Sequence, residues 1–530
     1  DFADLAAVVR GCAEQGAAFV GLNPLHALFP ANPWQFSPYS PSSRHFLNVL
    51  YIAIEHVAEF GHCAEAQATV RAADFQAELA RLRATPCVDY PGVAQAKLRI
   101  LRLLHAHFRR DKSAQTSARA VRFQAYCAER GESLRRHALH DAIDEHMRAV
   151  DGHRYWGWPM WPEELSEPTL PGVQAFEQAH AGLVEFHAWL QWLADEQLGE
   201  AQALGRKLGM SIGLYGDYAV GVNPSGSETW SDQALYRKGA GVGAPPDALA
   251  LKGQDWGIPP QDPNVLMAEQ YRPFRNLVAA NMRHFGALRL DHVMALFRQW
   301  WVPAGLGSTE GGYVHYPLDD LMSVLALESE RHGCLVVGED LGTVPTEMRE
   351  AMAERAVYSY RVVLFEKHDN GRFRQPGEYP RRSIATVTTH DLPTLRGYWT
   401  ASDIELRRCL TLYPNDEICE LVRQERIHDR RALLDALAEQ GVAVGGDAED
   451  AGGFSEELAD AIHIFLARTA SALVVLQAED LAGMADPVNV PGTSDEHANW
   501  QRKMCTDLAE VFARERIQLL LRRVSAARHG

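Results

Sequence analysis

The chain has 530 residues, 46% of them apolar, and a formal net charge of −17 at neutral pH. That length suits one elaborated barrel or two to four domains, and an acidic balance without a Lys/Arg block argues against nucleic acid or an anionic membrane as the main partner. No run approaches the ~18 apolar residues of a spanning helix, and the opening residues show no signal-peptide pattern. The cysteines (Cys12, Cys63, Cys87, Cys127, Cys334, Cys409, Cys419, Cys505) are scattered and form no C-x-x-C. They read as reduced thiols of a cytoplasmic protein and argue against a zinc site. The 12 tryptophans and 16 tyrosines suit a carbohydrate binder and a large core alike.

In chain order, an amphipathic helix ends near Ala13, and Ala17 to Leu22 is predicted as a strand stopping at Asn23-Pro24. Phe29 to Ser43 contains Pro30, Pro33, Pro38 and Pro41 and reads as an ordered surface loop. From Ile52 to Gly209 the pattern is helical, with Arg99 to Leu104 and Val184 to Leu190 amphipathic at 3.6 spacing. Strand signals resume at Met210–Leu214, Ala287–Leu290, Leu335–Val337, Arg361–Phe365, Ile384–Val387 and Ala472–Leu476. Helices are expected between them at Pro273–His284, Leu318–Arg331, Thr346–Arg355 and Ile404–Leu410. Such alternation predicts a parallel sheet. A closed barrel of this kind needs eight strands and seven are counted, so the first strand is expected to precede Asp1. Gly441 to Gly453 reads as a mobile loop, and no internal repeat is visible.

Three apolar runs end in carboxylates: Ala287-Leu288-Arg289-Leu290-Asp291-His292, Leu335-Val336-Val337-Gly338-Glu339-Asp340 and Ile384-Ala385-Thr386-Val387-Thr388-Thr389-His390-Asp391. An acid at the C-terminal end of a buried parallel strand is costly unless it is paired or working. In an α/β barrel that edge is the catalytic face. Three acids there suggest acid, nucleophile and stabiliser chemistry on a sugar bond. Spacing alone leaves Asp291 and Asp391 open to a helix-capping role, and leaves Asp340 as a rival to Glu339. Lys367, after the Arg361–Phe365 run, is the one candidate for a Schiff-base lysine of an unrelated barrel enzyme such as an aldolase.

The runs LRLDHV, VVGEDLGTVP and THDLPTLRGYW resemble the 4-α-glucanotransferases, also called amylomaltases or disproportionating enzymes, of glycoside hydrolase family 77 in the α-amylase clan. SPYSPSSR (Ser37 to Arg44), GLYGDYAVGV (Gly213 to Val222), GAPPD…GQDWGIPP (Gly243 to Pro260), LQAEDL (Leu476 to Leu481) and PVNVPGTS (Pro487 to Ser494) extend the similarity over essentially the whole chain, in the family's order. The likeness is to the longer bacterial branch, whose extra N-terminal region would precede Asp1. Two positions depart from it: Gly216 stands where that branch has a basic residue, and Gln501 where an arginine follows Asn-Trp.

The resemblance implies a (β/α)8 TIM barrel with large, mainly helical insertions after the second and seventh strands. The implied segments are 1–50 (helix 1, strand 2 and a substrate loop), 51–208 (helical insertion), 209–391 (strands 3 to 7, lid loop 241–260 and the acids), 392–470 (helical insertion) and 471–530 (strand 8 and a C-terminal helix). The implied activity moves α-1,4-glucan segments from a maltooligosaccharide to the 4-hydroxyl of a glucan or of glucose, through a covalent glycosyl-enzyme. Asp291 would be the nucleophile, Glu339 the general acid/base and Asp391 the acid that holds the sugar's 2- and 3-hydroxyls. Arg289 would keep Asp291 ionised. His292 and His390 would donate to sugar hydroxyls, and Asp217 would support the site. Tyr39 and Trp256, on loops, would stack on glucose. Gln477 and Asn489 would contact substrate from the eighth-strand region. No metal or organic cofactor is expected. An α-glucan hydrolase of the same clan and a non-catalytic glucan-binding scaffold are the alternatives, the second disfavoured by the presence of all three acids.

Overall fold

The computed structural model describes residues 1–110, 117–246, 252–442 and 453–529. The chain divides into two compact units, one of Asp1–Val9 with Phe19–Leu335, the other of Arg10–Ala18 with Val336–Gly530. Seven short parallel strands carry the α/β framework, and they alternate with helices as the barrel class requires.

The first unit contributes β1 (Phe19–Gly21), β2 (His26–Ala27), β3 (Ser43–Leu47), β4 (Gly213–Tyr218), β5 (Ala240–Ala244), β6 (Gln254–Ile258), β7 (Ala287–Leu290), β8 (Arg298–Pro303) and β9 (Gly312–His315). β1, β4 and β7 are parallel neighbours, with Phe19 opposite Gly213 and Asp217 opposite Arg289. β7 falls where its apolar run predicts. β4 starts later than expected: Gly209 and Gly213 take φ of 91° and 81° and turn the chain, so the strand proper is Gly213–Tyr218. Every residue of β4 is buried, the polar ones included, so its sequence lacks the apolar signature of a buried strand.

Between β1 and β4 lie mostly helices. The longest are Tyr90–Arg110, Ala118–Asp151, which kinks at Gly131 (φ 52°), and Ala181–Lys207. The Val184–Leu190 stripe, expected to be amphipathic, belongs to a helix buried on all sides from Phe186 to Ala194. Two of its glutamines are satisfied internally: Gln191 bonds the backbone of Leu47 in both directions, and Gln197 does the same for Ala53.

The Gly241–Pro260 segment, expected as a loop, instead supplies two strands. β6, β5, β8 and β9 form an antiparallel sheet in that order. Its strands are short and glycine-rich (β5 is Ala-Gly-Val-Gly-Ala), which hid them from a pattern reading. Residues 247–251 of the expected lid, and 443–452 of the expected mobile loop, lie outside the described residues.

A buried ion pair pins the SPYSPSSR segment. Arg44 donates to Glu228 at 2.8 Å and to the carbonyls of Ala219 and Val220, while Glu228 also accepts from the Arg44 amide and the Tyr236 hydroxyl.

The second unit contributes β10 (Leu335–Gly338), β11 (Tyr358–Val362), β12 (Ser383–Thr386) and β13 (Leu473–Val475), parallel and in that order. The expected Arg361–Phe365 strand runs three residues earlier and gives way to a single 3-10 turn at Val363–Phe365. The reason is the pairing of Tyr360 with Ile384, which sets the register, and the exposed ring of Phe365. The helices Asp416–Glu439, Glu456–Ala467 and Glu515–His529 close a core of Leu433, Leu437, Ile462, Phe465, Ile517 and Leu520 against Val387, Leu395 and Trp399.

Burial alone would raise the Glu228 carboxyl, but Arg44, His45 and Tyr236 hold it down to about 2. Its folded value lies below its unfolded one, so it adds stability above pH 5 that is lost as pH falls toward 2. Glu228→Gln leaves Arg44 buried without a counter-charge and is expected to cost about 3–5 kcal/mol. Urea unfolding checks this, and a variant as stable as wild type would refute it.

Candidate active site

In the first unit the site is built on two adjacent strands. Arg289 of β7 sits opposite Asp217 of β4, and its Nη1 donates to both carboxylate oxygens of Asp217 at 2.8 Å. Nη2 reaches Asp291 Oδ1 at 2.9 Å, one residue past the strand. Asp291 is also fixed through its backbone, whose N–H donates to the Tyr218 carbonyl at 3.1 Å. The Tyr39 hydroxyl donates to Asp217 Oδ2 at 2.6 Å, so this unit joins four of the predicted residues in one hydrogen-bonded chain: Tyr39, Asp217, Arg289, Asp291.

His292 follows with a left-handed backbone (φ 46°, ψ 63°), which ends the extended strand at once. Its ring meets Trp256 edge-on, with centroids 5.2 Å apart and planes at 80°. Desolvation lowers the His292 pKa to about 4, so the imidazole is neutral at neutral pH. Trp256 is not on a loop, as expected, but on β6, half-buried, with its indole N–H on Gln254. Gly216 also finds an explanation: a Cβ there would stand 2.9 Å from the Phe285 ring, so that ring fills the space a side chain would need.

In the second unit Glu339 and Asp340 leave β10 in different directions. Asp340 turns to β11, accepting from the Tyr360 amide at 2.7 Å and pairing with Arg361 at 3.3 Å. Burial raises the Asp340 pKa against the opposing pull of Arg361. Glu339 is buried too, with Oε1 accepting the Leu341 amide at 2.7 Å.

Beyond β12, Asn489 donates to Asp391 Oδ1 at 2.7 Å, and His390 Nε2 lies 3.2 Å from Asp391 Oδ2. Gln477 accepts from the Thr388 hydroxyl. The Asp391 carboxylate itself is 46% exposed, open to a ligand. Lys367 pairs with Asp429 at 2.6 Å, an ordinary ion pair rather than the desolvated setting of a Schiff-base amine. Two further features escaped the sequence reading: a tryptophan beside His390, and an ion pair with Arg361 made by Asp340, which was read only as a rival to Glu339. Trp500 has a left-handed backbone (φ 62°) and its ring lies 5.7 Å from that of His390. The Asp340–Arg361 pair holds the backbone behind Glu339. The Asn-Trp dipeptide was a visible signal for the first, whereas nothing in the pattern marks the second.

Comparison with known proteins gives the family. Residues 1–508 match the family model described as 4-alpha-glucanotransferase. The 4-alpha-glucanotransferase of Haemophilus influenzae is 40% identical over 534 residues, covering 100% of this chain and 76% of its own. That of Mycobacterium tuberculosis is 36% identical, covering 99% of this chain and 72% of its own. The crystal structure of amylomaltase from Corynebacterium glutamicum superposes with a TM-score of 0.86 at 32% identity, covering 100% of this chain and 72% of that one. An amylomaltase from Streptococcus agalactiae in complex with acarbose shares the fold, with a TM-score of 0.76 at 17% identity and coverage of 99% and 94%. With acids at the ends of its parallel strands and these relatives along its whole length, the chain belongs to the 4-α-glucanotransferase family, glycoside hydrolase family 77.

Proposed function

We propose that this 4-α-glucanotransferase works by a retaining double displacement, with Asp291 as nucleophile, Glu339 as general acid and base, and Asp391 as the group that stabilises the distorted sugar. The observation that carries this reading is the hold of Arg289 on Asp291, which favours an ionised carboxylate just past the end of β7. In the first step an Asp291 oxygen bonds to the anomeric carbon while the glycosidic C–O bond breaks. Glu339 gives its proton to the departing 4-oxygen. In the second step Glu339 takes the proton of an acceptor 4-hydroxyl, that oxygen bonds to the anomeric carbon, and the ester to Asp291 breaks. Asp340 is already committed to β11, which supports Glu339 as the working acid.

The donors are maltooligosaccharides, and glucose or the end of another glucan is the acceptor. Tyr39 acts through Asp217 in this reading, while Trp256, His292 and His390 meet the sugar. Gln477 and Asn489 hold the Asp391 segment. Transfer prevails over hydrolysis when water is kept from the ester, and β5 and β6 are the candidate cover. We place the reaction in the cytoplasm on the scatter of the cysteines. Among the described residues no helix is long and apolar enough to cross a membrane.

Incubation with pure maltotriose is expected to give a ladder of longer and shorter glucans with constant reducing ends. Rising reducing ends without longer products would make the enzyme a hydrolase. Asp291→Asn is expected to lower kcat by about 10³-fold or more, while acarbose still binds. Wild-type turnover in that variant would remove Asp291 from the mechanism.

A further inference from the structure

Asp391 sits on an irregular stretch between β12 and the helix Leu395–Thr400, so its position depends on what holds that stretch. Four polar rungs join it to the segment after β13. The Thr388 hydroxyl donates to Gln477. Asn489 donates to Asp391 at 2.7 Å, and the Thr394 hydroxyl donates to the Ala485 carbonyl at 3.1 Å. The fourth rung is the Leu395 amide, which donates to Asp480 Oδ1 at 2.8 Å.

Asp480 is unlike the other rung-makers. It lies in the short helix Ala478–Ala482, 5% exposed, in a setting where a carboxylate is costly. Its second oxygen, Oδ2, is buried without a hydrogen-bond partner. Thr394 caps the helix Leu395–Thr400 by accepting from the Gly397 amide at 3.0 Å, so Asp480 and Thr394 together satisfy amides of that helix's first turn. Leu395 is fully buried and Leu481 nearly so, which leaves the pair little room to shift.

We propose that Asp480 is a positioning residue for the transfer reaction: by fixing the Leu395 amide it sets where the segment carrying Asp391 places its carboxylate. This rests on the reading of Asp391 as the transition-state stabiliser. Asp480 touches no substrate in this account. Burial pushes its pKa up to about 7, so the protonated carboxyl is well represented at neutral pH, and asparagine is its close mimic. The partnerless Oδ2 then needs no counter-charge, which fits a site with none bonded to it.

Three variants of the full chain test the proposal with maltotriose as donor. Asp480→Ala is expected to lower kcat about 10- to 100-fold while KM changes less than about threefold, the mark of an interaction felt in the transition state. Asp480→Asn keeps the acceptor and is expected to restore kcat to within about threefold of wild type. In an Asp391→Asn background, followed at high enzyme concentration, adding Asp480→Ala is expected to change kcat by less than about threefold, because the two act through one group.

A folded Asp480→Ala with wild-type kcat, or full additivity with Asp391→Asn, overturns the proposal while leaving the role of Asp391 intact. Wild-type turnover in Asp391→Asn overturns that role, and the proposal with it. Should the alanine variant not fold, Asp480→Glu displaces the carboxyl by one methylene and must show the same fall in kcat at steady KM. Wild-type kcat there overturns the proposal.

Discussion

The first unit's chemistry hangs on one buried guanidinium. Arg289 bonds both Asp217 and Asp291, and two carboxylates held this close would otherwise repel. The arrangement follows from strand register. Asp217 lies opposite Arg289 because Tyr215 lies opposite Ala287, and a slip of one residue would turn the pair to opposite faces. Tyr39 adds a third bond to the same cluster, and its loop is anchored in turn by the buried Arg44–Glu228 pair. A fold-holding ion pair and the Asp217–Arg289–Asp291 cluster are thus linked through the four residues Ser40 to Ser43, among them Pro41, whose fixed φ limits how far that link can flex.

The second unit solves a similar problem by dividing labour between neighbours. Two consecutive acids at a strand end cannot share one environment, since side chains alternate across a strand. Asp340 takes the inward role and stitches β10 to β11 through the Tyr360 amide and Arg361. Glu339 therefore leaves β10 on a backbone that is already fixed. Asp391 is held differently, accepting from the Asn489 amide with His390 3.2 Å away, and its carboxylate is exposed enough to meet a ligand.

Legibility in the sequence tracked how local the cause was. β7 and the helix Leu318–His332 were readable because their signals are local: an apolar run, or 3.6 spacing closed by a left-handed glycine at Gly333. β4 was misplaced because its buried face is Tyr-Gly-Asp-Tyr, apolar only in partnership with Arg289. β5, β6, β8 and β9 were missed because each is short and is stabilised by its neighbours rather than by its own pattern. The three acids stood out because a charge after a buried strand breaks the local rule. Asp480 and Trp500 did not, and Asp340 was read only as a rival to Glu339, because their meaning lies in partners far along the chain. Gly216 looked like a simple departure until the Phe285 ring was seen to occupy its side-chain space.

Backbone strain marks the same places from another direction. Seven non-glycine residues among those described have positive φ, and of them His292 directly follows Asp291 while Trp500 sets its ring beside His390. Such a conformation costs of order 1–3 kcal/mol and persists only where surrounding contacts enforce it. At His292 the enforcement is visible: the Asp291 amide is tied to Tyr218, and the Val293–Leu296 turn begins immediately. The chain must leave the strand direction within one residue, which carries the His292 ring against the edge of Trp256. Kept neutral by desolvation, that ring can donate through one nitrogen and accept through the other. A sugar hydroxyl, itself donor and acceptor, is the kind of partner such a ring suits, and in the proposed mechanism an imidazolium there would put a positive charge beside the cation-like anomeric centre. Strain, desolvation and the requirement for a neutral ring at that position are then three aspects of one local constraint.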